Sequence, residues 1–95
     1  MNINEVTADE VAALVGIGVG QWQDMPDRPN GRERLYLRDN QRAAIVVRPR
    51  PDERFRWAVF YPGDEFSSTF GDSETREAAT DAAEENLKKL LARYL

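Results

Sequence analysis

Arginine is the residue type in this chain whose number and spacing point to chemistry. Nine of its eleven arginines fall between Arg28 and Arg56, against four acids, while both flanks are acidic. The segments 1–27, 28–56 and 57–95 carry formal charges of −5, +5 and −4, in a chain of net charge −4 and pI near 4.8. A guanidinium is planar, permanently charged and carries a fork of donors that pairs bidentately with carboxylate or phosphate and stacks on rings. A cluster of them offers recognition of an anion rather than bond making.

Composition argues against catalysis. Histidine is absent, which removes the commonest general base and the commonest metal ligand. Cysteine is absent as well, so disulfides and thiolate metal sites are excluded. Ser67, Ser68 and Thr69 cluster beside Phe66, but no histidine exists to activate them and an exposed strand accounts for them. Asp64 with Glu65, and Asp72 with Glu74, lack the spacing of an EF-hand loop, and turn and cap duties account for them. Gly16, Gly18 and Gly20 imitate a phosphate-binding loop, yet they follow a helix rather than a strand and no lysine follows them. The chain is therefore read as a non-enzyme without cofactor or metal.

The elements that must position the arginines are legible from pattern. Thr7 followed by Glu10 forms a capping box, Val6 and Val11 can staple it, and a helix of about two turns should start at Ala8 with Val11, Leu14 and Val15 as its apolar stripe. Gly16, Gly18 and Gly20 should end it. Met25 to Gly31, with Pro26, Pro29 and Asn30-Gly31, reads as a loop.

Three strands follow by alternation. Leu35 and Leu37 oppose Arg34, Tyr36 and Arg38; Ala43, Ile45 and Val47 oppose Arg42, Ala44, Val46 and Arg48; Phe55, Trp57, Val59 and Tyr61 oppose Arg54, Arg56, Ala58 and Phe60. Asp39-Asn40 should turn between the first two, Pro49 and Pro51 end the second, and after Pro62-Gly63 a fourth strand is expected over Glu65 to Phe70. A long C-terminal helix, capped by Asp72 or Ser73, should lay Ala79, Ala82, Ala83, Leu87, Leu90, Leu91 and Tyr94 against the sheet, with Glu74 and Glu77 at its positive end and Lys88, Lys89 and Arg93 at its negative end.

The expected fold is thus a single α+β domain over residues 1–95: a short N-terminal helix, an antiparallel three- to four-stranded β-meander, and a long C-terminal helix packed on one face of the sheet. Met1 to Asp9 has no basic region followed by an apolar run of signal-peptide length. Apolar stretches fall far short of the roughly 20 residues of a membrane span. A cytoplasmic protein without membrane contact is expected.

Two family resemblances attach to these residues. Over Val6 to Gly18, the run Glu10, Val11, Ala12, Ala13 and Leu14 resembles the opening of a helix-turn-helix of the excisionase or MerR type. Pro26, Pro29 and Gly31 leave barely one turn for the recognition helix that this would require, so the resemblance implies a shared capping pattern. In the α-β-β-β-α order and in the last helix, the chain resembles the double-stranded-RNA-binding domain, with Gly71, Ser73, Ala78, Ala82, Ala83, Leu87 and Leu90 close to that family's positions. That resemblance implies a similar fold. The family's basic pair at the start of the helix is replaced by Glu74 and Thr75, with Glu77 and Asp81 following, so RNA binding is not implied.

With the aromatic side of the third strand packed on the helices, the open face should carry Arg34, Tyr36, Arg38, Arg42, Arg48, Arg54, Arg56 and Phe60. Charged strands can equally form a merely solvated face, since edge charges deter aggregation and exposed ion pairs contribute little stability. The leading expectation is a small acidic protein-interaction module. Either this arginine face meets an acidic partner protein or the acidic helix face of Glu77, Asp81 and Glu84 meets a basic one. In size and charge it resembles phage or mobile-element inhibitors that occupy the surfaces of host proteins. The alternative is nucleic-acid binding through the arginine-rich sheet, with Tyr36 or Phe60 stacking on bases. An uncovered sheet can also pair with itself as a homodimer.

Overall fold

The computed structural model describes residues 2–38, 41–60 and 69–94, without the side chains of Ile3, Arg38, Gln41, Arg42 and Tyr94. The turn expected at Asp39-Asn40, Tyr61, Pro62-Gly63 and the stretch 64–68 lie outside the described residues.

Helix α1 (Ala8–Leu14) begins where its cap dictates. Thr7 Oγ1 accepts from Glu10 N at 3.1 Å, and Glu10 Oε1 accepts from Thr7 N at 3.2 Å, so two otherwise orphaned amides are satisfied reciprocally. Gly16 ends it with φ of 79°, a conformation costly for other residues. The buried stripe is Ala8, Val11 and Ala12 rather than Val11, Leu14 and Val15; Leu14 is exposed. The helix is rotated so that its small residues approach its neighbours.

The sheet is antiparallel throughout. Four long strands form the expected meander: β3 (Arg32–Arg38), β4 (Gln41–Pro49), β5 (Phe55–Phe60) and β6 (Thr69–Ser73). Two short strands, β1 (Gly18–Val19) and β2 (Gln23–Asp24), both pair with β3 and bring the total among the described residues to six. β6 runs on to Ser73, beyond the expected end at Phe70. Helix α2 (Arg76–Leu91) is therefore capped by Thr75, whose Oγ1 accepts from Ala78 N at 3.0 Å, and not by Asp72 or Ser73.

Both helices cover one face of the sheet. The core beneath them is Val11 and Ala12 from α1, Tyr36, Ala43, Ile45, Val47 and Val59 from the strands, and Ala79, Ala83, Leu87 and Leu91 from α2, with Phe55, Trp57 and Leu90 partly buried against it. Fully burying each large side chain contributes about 1.5–3 kcal/mol. Lys88 is the one charged side chain buried among the described residues. Its Nζ donates to the Val6 carbonyl at 3.1 Å and meets Glu85 Oε2 at 2.9 Å, tying α2 to the entry of α1. No described helix is long and apolar enough to cross a membrane.

Cross-strand register decides which residues share a face. Arg34 pairs with Ile45 and Tyr36 with Ala43, while Leu35 pairs with Ala44 and Glu33 with Val46. Residues directly opposite in a ladder point to the same side. β3 thus turns Arg34 and Tyr36 toward the helices and Leu35 and Leu37 toward the open side, the reverse of the alternation expected for this strand. β4 and β5 face as expected.

Candidate functional site: the open sheet face and its arginine end

The face that neither helix covers is built of cross-strand rows. One row sets Leu35, Ala44 and Phe60 side by side; the next sets Glu33, Val46, Ala58 and Phe70; the third sets Arg48, Arg56 and Asp72. Leu37 lies beyond the first row. Its exposure of 51%, with 47% for Phe60 and 61% for Phe70, marks an apolar surface open to solvent. Exposed apolar groups scattered singly are ordinary, whereas a contiguous set on one face marks a contact surface.

The expected arginine face divides into two sets. Arg34 and Tyr36 lie under the helices and are corrected from the open face to the interior. Arg34 Nε donates to the Gly20 carbonyl at 2.8 Å, its Nη2 donates to Asp9 Oδ2 at 3.1 Å, and its Nη1 stands 3.8 Å from Glu84 Oε1. Its guanidinium also lies 5.6 Å from the Tyr36 ring. Arg32 lies beside it, bonded to Thr80 Oγ1 at 3.1 Å and 4.8 Å from the Trp22 ring. Burial pushes the Tyr36 hydroxyl up to about 12, and Asp9 and Glu84 push it the same way against Arg34. Glu84 itself is raised, chiefly by burial and then by Asp9. These arginines satisfy structural partners, so a side chain counted as a contact residue by alternation holds the helices to the sheet.

Arg48, Arg56 and Phe60 remain on the open side. Arg54 is exposed at the end of the β4–β5 turn, where its carbonyl accepts from Arg50 N at 2.8 Å. Arg38 and Arg42 take part in the β3–β4 ladder, opposite Gln41 and Leu37; their side chains lie outside the described residues. On α2, Glu77 and Asp81 are exposed, whereas Glu84 is half-buried and turned to Arg34.

Alternation missed the arginine end itself. Arg28, Arg48, Pro49, Arg50, Pro51 and Arg56 line a cleft of about 390 Å³. Asp72 fixes two of its walls: Arg50 Nη1 donates to Oδ2 at 2.6 Å, and Arg56 donates through Nε to Oδ1 at 2.9 Å and through Nη2 to Oδ2 at 3.3 Å. The Arg56 hydrogen bond, reinforced by Arg50, holds the Asp72 carboxyl down at about 2 despite opposing desolvation. Arg56 is raised in turn, first by its hydrogen bond to Asp72. Its guanidinium stands 5.1 Å from the Phe70 ring, where cation and ring quadrupole attract.

Arg28 reaches the cleft because its turn closes tightly, with Gly31 N donating to the Arg28 carbonyl at 2.9 Å. A Cβ at Gly31 would stand 3.1 Å from that carbonyl and 3.2 Å from Met25 Sδ. A signal for the reversed β3 was present in the expected two-residue turn at Asp39-Asn40. Pairing Arg38 with Gln41 across it forces even-numbered residues of β3 onto the face of odd-numbered residues of β4.

The described residues hold no group of three or more acidic, histidine or cysteine side chains placed to bind a metal. Comparison with protein families, with curated proteins and with solved structures gives no match.

Proposed function

We propose that this protein is a non-enzymatic interaction module whose open sheet face docks on another protein, one that brings apolar side chains flanked by acidic groups. The observation that carries this reading is the pairing of exposed Leu37, Phe60 and Phe70 with Arg48 and Arg56 on a face that neither helix covers. Apolar area supplies the drive for association and arginine supplies direction, the combination enriched at the centres of protein interfaces. In size and net charge the chain resembles phage and mobile-element inhibitors, and an inhibitory action on a host protein is part of the proposal.

Nucleic-acid binding along the sheet is the less favoured reading. Two of the arginine-face residues, Arg34 and Tyr36, are spent on internal contacts, and the net charge of −4 repels a phosphate polymer on average.

The test is co-purification from the native host with the full chain and with a Phe60→Asp, Phe70→Asp double variant checked for folding by circular dichroism. A stoichiometric protein partner lost only in the variant supports the reading. A partner kept by that variant but lost on reversing Glu77, Asp81 and Glu84 would move the interface to the acidic helix. Sedimentation showing a dimer abolished by the same double variant would make the occupant a second copy, and salt-sensitive capture of labelled oligonucleotides would replace the protein by nucleic acid.

A further inference from the structure

We infer that the cleft at the arginine end of the sheet, walled by Arg28, Arg48, Arg50 and Arg56, is a binding site for a phosphate-monoester dianion. The site goes beyond the protein-docking reading and stands without it.

Charge count is the first argument. Four guanidinium groups line the cleft. Two carboxylates compensate them: Asp72 pairs with Arg50 and Arg56, and Asp52 Oδ1 lies 3.3 Å from Arg50 Nε. Asp27 and Glu53, in the adjoining turns, make no ion pair with a cleft arginine among the described residues. A net charge of +2 remains, concentrated in one concave site of an acidic protein. Arg28 and Arg48 make no ion pair and no side-chain hydrogen bond among the described residues. A single carboxylate would leave one of those charges uncompensated, whereas a phosphate monoester carries close to two negative charges at neutral pH.

Preorganisation is the second argument. Like charges brought together repel unless something holds them, and Asp72 does this for Arg50 and Arg56 through three hydrogen bonds. Arg48 and Arg56 are a direct cross-strand pair, so their spacing is set by the ladder. Arg50 and Arg28 leave from short turns closed by backbone hydrogen bonds, Arg50 N to the Arg54 carbonyl at 2.8 Å and Gly31 N to the Arg28 carbonyl at 2.9 Å. The Arg50 Nε–H is shielded from solvent and stands 3.3 Å from Asp52 Oδ1, a further contact that steadies this wall. Fixed planar forks are the arrangement suited to phosphate oxygens. Asp72 is a positioning residue here, and Arg28 and Arg48 are the groups free to meet the ligand.

The same dianion occurs free or esterified, and the exposed Phe70 ring beside Arg56 offers a stacking surface for a base. Titration of the ¹⁵N-labelled full chain at constant ionic strength, adjusted with sodium chloride, with inorganic phosphate in one arm and adenosine 5′-monophosphate in the other, reads the site directly. Saturable shifts confined to the arginine Nε–H signals of the cleft and to amides 48–56 are expected. Arg28→Gln and Arg48→Gln should each weaken binding about tenfold, the loss of one charge-assisted contact. The monophosphate should bind at least about threefold more weakly at pH 5 than at pH 7.5, because its second ionisation lies near 6 while Asp72, held at about 2, stays ionised at both. Equal affinity in the two arms assigns recognition to the phosphoryl group alone; tighter monophosphate binding with shifts at Phe70 assigns it to a nucleotide. Absence of saturation, or shifts spread equally to Arg76 and Arg93 and unchanged in Arg48→Gln, would overturn the site.

Discussion

Arg34 and Asp9 meet at 3.1 Å across the junction of β3 and α1, so the first helix is fastened to the sheet by an arginine with only 16% of its side chain exposed. The same guanidinium caps the Gly20 carbonyl, and one side chain thereby joins α1, the segment after β1, and β3. Arg48, one strand away and on the opposite face, has no such partner among the described residues.

That contrast yields the first prediction. Arg34→Met should destabilise the fold by roughly 1.5–3 kcal/mol, the range for charged hydrogen bonds lost from a shielded site. Arg48→Met should stay within about 0.5 kcal/mol of the parent, as surface substitutions do. Urea denaturation of both variants checks this, and equal effects would erase the division between structural and surface arginines.

Tyr36 is 1% exposed, and its Oη is buried without a hydrogen-bond partner among the described residues. Tyr36→Phe should therefore be nearly neutral or slightly stabilising, while Tyr36→Ala should cost about 3–5 kcal/mol through the cavity it leaves. The hydroxyl's native value near 12 exceeds its ordinary 10. Burial penalises the ionised form, so stability does not depend on this group below pH 10 and falls as pH rises from 10 toward 12. Ultraviolet titration should show one of the three tyrosines ionising only as the protein unfolds.

Gly71 lies directly across from Trp57, and a Cβ there would come within 2.7 Å of the indole ring. Gly71→Ala should displace Trp57 from its place against the core and cost about 1–3 kcal/mol by overpacking. A shift in tryptophan emission accompanying the lower denaturation midpoint distinguishes this from a backbone effect, which would leave the emission unchanged.

Asp72 carries the acid sensitivity of the arginine end. Its native value near 2 lies below the ordinary 3.8, so the stability it supplies is fully present above about pH 4 and is lost as pH falls toward 2. Asp72→Asn should flatten the acid-unfolding curve in that window and leave the alkaline limb unchanged. An acid limb identical in the two proteins would show that Asp72 does not hold Arg50 and Arg56 in solution.

Local chemistry was sufficient for much of this fold. The Thr7–Glu10 box is complete within four residues, the α2 stripe of Ala79, Ala83, Leu87 and Leu91 follows from a 3.6-residue period, and in β4 and β5 the fully buried branched positions Ile45, Val47 and Val59 share one parity, with Val46 the branched residue on the other. Histidine and cysteine chemistry was excluded by composition alone. β3 is different because each parity holds apolar and polar surface: Leu35 and Leu37 on one side, the Tyr36 ring and arginine stems on the other. Which parity turns inward depends on pairing with β4, and on Asp9, Gly20 and Glu84 being near enough to satisfy Arg34 once buried. The cleft and the carboxylate that anchors it likewise bring together Arg28, Arg48, Arg50, Arg56 and Asp72 from two turns and three strands, up to 44 positions apart. Alternation along a strand names two faces, but only long-range contacts can supply the partners that make burying a charge tolerable, and those contacts exist only in the folded chain.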